Sequence, residues 1–461
     1  MRRIHPHNTN NMASRLRHKT LVALGLADAF LAGPTGFSVL YERGAYAVGG
    51  RATWLRSLAR KLSETFGRSL RNVDRHDLAR FILTDAGYAE AWSAGKKHPV
   101  LRKLFISSPE IGPRPMAFAR IRLPQLPTAG DLARWLEMSS LELDWFSRHW
   151  NSDRSNEAGP LRHYHYRWVV KRSGKPRLLE IPKTRLRDAQ RRILRLLLDR
   201  LPPHEAAHGF RRGHSCATHA AAHVGREVVI RMDLQNFFPS IPVARIHALF
   251  RTLGYPESVA RSLAGLCTNR VPEQVLRDCV KQGNEVHLDW HERKQYATPH
   301  LPQGAPTSSA LANLCAFRLD MRLAAAAKKV GARYTRYADD LAFSGGEMLR
   351  RSASRFHIMV CSIALEEGFA VNTRKTRVMR QSVRQQLTGI VVNARPNIVR
   401  KKYERLKATL HNCARFGPAT QNRHAIENYR AHLSGQIAYV HMLNVHRTAK
   451  LKAIFDRIVW P

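Results

Sequence analysis

Tyr334-Thr335-Arg336-Tyr337-Ala338-Asp339-Asp340-Leu341-Ala342-Phe343 reads as a β-hairpin whose turn holds two adjacent aspartates. Aromatic and β-branched residues fill one arm, and Leu341-Ala342-Phe343 continue the other. A second acidic strand lies 106 residues upstream, measured from Asp233 to Asp339. There the run Val228-Val229-Ile230-Arg231-Met232 delivers Asp233 at its end, before Leu234-Gln235-Asn236-Phe237-Phe238-Pro239-Ser240-Ile241 leads toward a helix. Either acidic site alone would read as an ordinary turn. The strand-end Asp233 together with the Asp339-Asp340 hairpin is the unusual feature.

The chain around these carboxylates is strongly basic. It has 461 residues, with 76 Lys plus Arg against 35 Asp plus Glu, for a formal charge of +41. Such a charge disfavours a compact state unless a polyanion offsets it, and nucleic acid is the expected partner. A weakly charged enzyme acting on small neutral molecules is excluded. Hydrophobic residues at 44% give enough apolar material for two or three folded domains. Positive charge is dense between Arg167 and Arg212, with fourteen Lys or Arg and four acids. That block ends in Gly209-Phe210-Arg211-Arg212-Gly213-His214-Ser215, where glycine-bracketed Arg211 and Arg212 beside an aromatic suit a surface that tracks a nucleic-acid backbone.

The six cysteines, at 216, 267, 279, 315, 361 and 413, show no zinc spacing and suit free thiols in a reducing cytoplasm. The early apolar run Leu21–Gly33 is interrupted by Asp28 and too short to span a bilayer, so neither a signal peptide nor a membrane anchor is expected. Residues 1–13 read as a frayed polar end, and residues up to about 110 as a helical N-terminal extension. Residues 111–160 read as a linker and a short helical pair, with Ser139 and Glu142 forming a capping box. From Tyr166 a basic hairpin turns at Ser173-Gly174, followed by a helix from about Leu186 to Asp199.

Three carboxylates on two strands match the needs of phosphodiester formation, which uses two Mg²⁺ ions bound by hard oxygen ligands. At this point the chain resembles a known family. Tyr337-Ala338-Asp339-Asp340 is similar to the YxDD of reverse transcriptases, and Asp233 to their first palm aspartate. Leu301-Pro302-Gln303-Gly304-Ala305-Pro306-Thr307-Ser308 resembles the LPQGxPxS loop of the nucleotide pocket. Gly368-Phe369 with Asn372 and Lys375-Thr376, then Thr388-Gly389-Ile390-Val391-Val392-Asn393, resemble the next two motifs in order. Phe238 stands where reverse transcriptases place an aromatic gate against a ribose 2′-hydroxyl. Within the family the likeness is to the bacterial retron type, with departures: His219-Ala220-Ala221-Ala222-His223 stands where that type has NAxxH, Leu387-Thr388-Gly389 where it has VTG, and Ala310 where Pro is frequent.

The resemblance implies an α+β right-hand polymerase fold, with fingers and a ferredoxin-like palm over 161–395 and a helical basic thumb over 396–461. Residues 395–461 carry thirteen Lys or Arg against three acids. It implies that Asp233 and Asp339 bridge two Mg²⁺ ions, helped by the Leu234 carbonyl, with Asp340 auxiliary. Lys171 and Arg177 would neutralise a dNTP triphosphate, Gln303 would pack beside the nucleotide, and Gly304 would let backbone come close. Lys375 would protonate the leaving pyrophosphate or salt-bridge it. Tyr337, Arg211, Arg212, Thr388 and Gly389 would contact primer and template. A retron-type enzyme is expected to copy a structured noncoding RNA into single-stranded DNA (msDNA) for antiphage defence, in the cytoplasm. Its expected partners are the RNA–DNA hybrid, a host RNase H and an effector protein, since no RNase H domain follows the thumb. Two other readings stay open: a defence-associated reverse transcriptase with protein-primed or untemplated synthesis, and an inactive basic RNA-binding scaffold.

Overall fold

The computed structural model describes residues 7–93, 98–105, 111–147, 162–170, 176–281 and 288–460. Lys171 and the Ser173-Gly174 turn lie outside them. The chain divides into two compact units, residues 1–109 and 110–461. Among the described residues no helix is long and apolar enough to cross a membrane.

The first unit is helical, with helices His7–Leu31, Phe37–Val48, Thr53–Phe66, Arg75–Thr84 and Ala86–Ser93. Residues 7–13, read as frayed, are the start of the first of these. Burial follows the periodicity: Leu55, Leu58, Ala59 and Leu62, three and four residues apart, point inward in Thr53–Phe66. They share an apolar core with Leu26, Phe30, Leu78 and Tyr88.

The second unit opens with a single helical turn, Met116–Ala119, followed by the short helices Ala129–Trp135 and Ser140–Ser147. The latter starts with the expected box, since Glu142 N–H donates to Ser139 Oγ (3.1 Å) and Ser139 N–H to Glu142 Oε2 (2.8 Å). Strands β1 (Tyr164–Val170) and β2 (Pro176–Pro182) then pair antiparallel, and helix Thr184–Leu196 follows. The central sheet contains β3 (Val228–Asp233), β4 (Arg333–Tyr337), β5 (Asp340–Gly345) and β6 (Arg377–Arg380). Its order is β4-β5-β3-β6 with every pair antiparallel.

Two-residue periodicity assigns the two faces of this sheet. Val228, Ile230, Met232, Tyr334, Leu341 and Phe343 enter the main core, with helices Phe317–Lys329 and Glu347–Glu366 packed there. Val229 and Ala342 enter a smaller cluster on the other face. Asp233, two places from Arg231 and four from Val229, shares that second face, directly opposite Asp340 in the pairing register. One expectation is corrected here. The turn between β4 and β5 is Ala338-Asp339 alone, and Asp340 is already the first residue of β5, paired with both Tyr337 and Asp233. A two-residue turn accommodates only one of the two aspartates.

Beyond the sheet come β7 (Gln386–Leu387), β8 (Ile390–Val391) and β9 (Asn397–Ile398), which form a small antiparallel sheet. Helices Arg400–Phe416, Tyr429–Leu443 and Val445–Phe455 end the chain around their own core of Tyr403, Leu406, Leu410, Leu433, Ile437 and Leu451.

Candidate active site

The ends of β3 and of the β4–β5 hairpin open onto a cavity of about 740 Å³. Its wall includes Arg177 from β2, Asp233, Phe238, Gln303, Asp339 and Lys375. Five separate stretches of sequence therefore meet at one place. Backbone bonds fix them there: Leu234 N–H donates to Asp339 O (2.9 Å), and Asn372 N–H to Asp233 O (2.7 Å). The second bond seats the turn that carries Lys375.

The three aspartates differ in their surroundings. Asp233 is buried, and both its oxygens accept from Lys375 Nζ, at 2.9 and 3.1 Å. Asp340 accepts from Arg231 Nε (3.0 Å) and Nη2 (2.7 Å), a diagonal pair that the strand register brings together. It does not line the cavity, in keeping with an auxiliary place. Burial raises the Asp339 carboxyl above the usual carboxylate range, and the charges of Asp340 and Asp233 add to this, with Arg177 opposing. Burial raises Asp340 too, against the pull of Arg231. Hard oxygen donors whose negative charge is incompletely offset fit a hard divalent cation. The fit rests on Asp233 and Asp339, with the Leu234 carbonyl available beside them. Among the described residues no three His, Cys, Asp or Glu side chains are grouped to hold an ion, so Asp340 does not complete a three-carboxylate cage.

The turn itself is strained. Ala338 has φ +56°, a conformation that costs a residue with a Cβ about 1–2 kcal/mol. Asn236, three residues after Asp233, is also left-handed at +44°. Phe237 and Phe238 thus sit in a turn, and their rings diverge. Phe237 is buried against Phe369, whereas Phe238 is half-buried on the cavity wall, 6.1 Å from the Phe210 ring.

The loop Leu301–Gly304 is fastened to β2. Glu180 N–H donates to Gln303 O (2.9 Å), and Gln303 N–H to Glu180 Oε1 (3.4 Å). Gly304 is at φ +134°, and a Cβ there would lie 2.8 Å from Glu180 O. Its absent side chain serves this docking of loop on strand, since Gly304 does not line the cavity. Beneath the loop, buried Glu180 also accepts from His300 Nε2 (3.0 Å) and Asn269 Nδ2 (2.6 Å). Burial opposes a charged His300, but the Glu180 carboxylate more than offsets it and raises the imidazole.

The remaining sequence candidates do not line the cavity. Tyr337 ends β4 opposite Asp340. Arg211 is half-buried and Arg212 exposed in the loop before helix Cys216–Ala221. Thr388 and Gly389 form the β7–β8 turn, both left-handed at φ +46° and +87°, a pattern that suits a tight hairpin. Arg231, Glu180 with His300, and Arg336 were not singled out from sequence. Their signal was a charge inside an apolar strand, as with Arg231 in Val228–Met232 and Glu180 in Leu178–Ile181.

Fold and site together define a polymerase palm, and residues 169–392 match the family described as "Reverse transcriptase (RNA-dependent DNA polymerase)". The chain is 42% identical over 333 residues to the retron Mx65 reverse transcriptase of Myxococcus xanthus, covering 72% of each chain. It is 35% identical over 334 residues to the retron Mx162 reverse transcriptase of the same organism, covering 69% of this chain and 64% of that one. With the retron Ec86 reverse transcriptase of Escherichia coli it shares 30% over 254 residues, 54% of this chain and 70% of that one. The chain belongs to the retron-type reverse transcriptases and is an RNA-directed DNA polymerase. Its substrates are a nucleic-acid template and dNTPs, and its chemistry depends on divalent metal.

Proposed function

We propose that this polymerase copies a structured noncoding RNA into single-stranded DNA that stays joined to it (msDNA), as part of cytoplasmic antiphage defence. The observation that carries the reading is one cavity holding Asp233 and Asp339 together with Arg177 and Phe238. In this reading residues 161–395 are fingers and palm, 396–461 the thumb, and 111–160 the linker and helical pair that follow an N-terminal extension.

Asp233, Asp339 and the Leu234 carbonyl are the residues that would hold Mg²⁺. Two such ions, when bound, supply activation of the primer hydroxyl and neutralisation of the triphosphate. Arg177 presents its guanidinium to the phosphates; its Nε is buried and has no hydrogen-bond partner among the described residues. Lys171, outside the described residues, shares that role. Gln303 lies along the base and sugar, and Phe238 closes the space a 2′-hydroxyl needs. Lys375 meets the leaving pyrophosphate as counter-ion or proton donor at Nζ. Asp340, tied to Arg231, keeps β5 beside β3. Tyr337, Arg211, Arg212, Thr388 and Gly389 contact primer and template, and the basic C-terminal helices follow the hybrid. RNA removal falls to a host RNase H, and an effector protein acts with the DNA product.

Sequencing the nucleic acid that copurifies from cells tests this. A defined RNA covalently joined to DNA is expected. DNA of random sequence, or DNA linked to the protein, would overturn it in favour of untemplated or protein-primed synthesis.

A further inference from the structure

Besides the Leu234 N–H bond to Asp339 O, the strained Ala338-Asp339 turn and its hairpin are held by polar groups buried on the two faces of the strand before it. On the core face, Arg336 is fully buried and spends its guanidinium on three partners. Nε and Nη2 donate to Asp320 Oδ1 (2.8 Å) and Oδ2 (2.6 Å), and Nη1 donates to Asn313 Oδ1 (3.0 Å) and to Ala338 O (3.1 Å). The last bond reaches the turn itself. Asn313 in turn donates through Nδ2 to Gly209 O (2.9 Å), and Gly209 lies so close under the turn that a Cβ on it would be 2.5 Å from Ala338 N. Backbone bonds from His208 N–H to Arg336 O and from Arg336 N–H to Ala206 O, both 2.7 Å, close the loop onto β4.

The opposite face is held by the two histidines of His219-Ala220-Ala221-Ala222-His223. Both are buried. Thr335 Oγ1 hydrogen-bonds with His219 Nδ1 (2.7 Å) and with His223 Nε2 (2.8 Å). His223 Nδ1 reaches Ser344 Oγ on β5 (2.7 Å), so one ring bridges both arms of the hairpin. Neither ring is accessible to an RNA, and among the described residues no His group is placed to hold a metal. Burial lowers the pKa of both, His223 to about 3, in keeping with neutral rings that exchange hydrogen bonds with hydroxyls.

We propose that these two networks form a clamp on the catalytic hairpin, Arg336–Asp320–Asn313 on one face and Thr335–His219–His223 on the other, which makes Arg336 and Thr335 positioning residues for nucleotide addition. A buried ion pair is a poor source of stability compared with an apolar core of the same volume. What this pair adds is direction: a donor aimed at the carbonyl next to Asp339. A left-handed alanine persists only where its surroundings over-determine it, and the clamp supplies that over-determination. The inference rests on the polymerase reading of Asp339.

Single-turnover extension of a DNA primer on RNA by the full chain tests it, with rates expressed per folded molecule from thermal melts of the same samples. Thr335→Val keeps shape and removes the hydroxyl, Thr335→Ser restores it, and Arg336→Lys keeps charge but loses the fork. Thr335→Val and Arg336→Lys are each expected to slow the chemical step about 10- to 100-fold, with dNTP KM and hybrid Kd within about twofold, and Thr335→Ser is expected to recover the rate. Asn313→Ala, a milder change to the same network, is expected to slow the same step and is read alongside. Folded variants with wild-type rates overturn the clamp. So does unfolding of all three disruptive variants, which would make the network ordinary core. Asp339→Asn in the same assay separates the two levels, because an active Asp339→Asn overturns the catalytic assignment of Asp339 on which the clamp rests, whereas an inactive one beside fast clamp variants overturns the clamp alone.

Discussion

Gly209→Ala tests how tightly the site depends on the packing under its turn. Gly209 shows no left-handed φ, so alanine suits its backbone and the effect is purely steric. The added methyl would lie 2.5 Å from Ala338 N, 3.2 Å from the Tyr337 carbonyl carbon and 3.4 Å from Ala338 Cα. Contacts below 3.0 Å are not tolerated, and Gly209 cannot retreat easily because Asn313 holds its carbonyl at 2.9 Å. The turn must therefore move by about 0.5–1 Å, at a cost of about 1–3 kcal/mol in stability. Asp339 moves with it relative to Asp233, and a misplacement of that size lowers the chemical rate about 10- to 100-fold. The assay is rapid-quench single-nucleotide incorporation, with hybrid binding followed by fluorescence anisotropy. Binding is expected to be unchanged while the rate falls. Gly331→Ala is the control. It strains a left-handed glycine at φ +61° whose Cβ would meet nothing within 4 Å, so it costs about 1 kcal/mol and leaves the rate alone. A Gly209→Ala rate within twofold of wild type would refute the reasoning.

Three further outcomes follow from the same geometry. Glu180→Gln breaks the buried pair with His300 and is expected to cost about 3 kcal/mol in denaturant unfolding, while raising dNTP KM through the loosened Gln303 loop. Because the folded His300 pKa is raised, its stabilisation is complete below the unfolded value of about 6.5 and lost as pH rises through the folded one. Wild-type melting temperature should accordingly fall on the alkaline side, and Glu180→Gln should flatten that slope; an unchanged slope would sink the assignment. Phe238→Val should raise ribonucleotide incorporation relative to deoxynucleotide about tenfold or more, read from competitive extension, and an unchanged ratio would mean the ring only packs. Hybrid affinity should drop by about 10³- to 10⁵-fold between 50 and 200 mM salt if about six to ten phosphates are contacted, and a flat salt profile would contradict a charge-held duplex.

Much of the site was legible because its carrier residues are local. An apolar β-branched run ending in Asp233 and a hairpin at Asp339 follow from strand periodicity and turn chemistry, and motif order linked them. The extent of the turn was not legible, since only the register of β3, β4 and β5 makes Asp340 a strand residue. Which backbone Gly304 lets come close was not legible for a similar cause: it is that of β2, which is distant in sequence. Arg336, Asp320 and Asn313 look like solvated positions in a chain this basic, and their burial depends on which helices the fold stacks against β4. His219 and His223 were legible only as standing where the retron type has NAxxH, whereas the structure buries them behind the hairpin. Long-range pairing of buried polar groups is invisible to local patterns, which is why the carboxylates could be found from sequence and their supports could not.

The account's central claim is that Asp233 and Asp339 carry nucleotide addition while the basic surfaces only hold the hybrid. Extension of a labelled DNA primer on an RNA template with dNTPs and Mg²⁺, run beside anisotropy binding of the same hybrid, tests it most directly. The wild type is predicted to extend the primer, and Asp233→Asn and Asp339→Asn to bind the hybrid as tightly yet yield no product. Product from either variant at the wild-type rate, or none from the wild type, would contradict the claim.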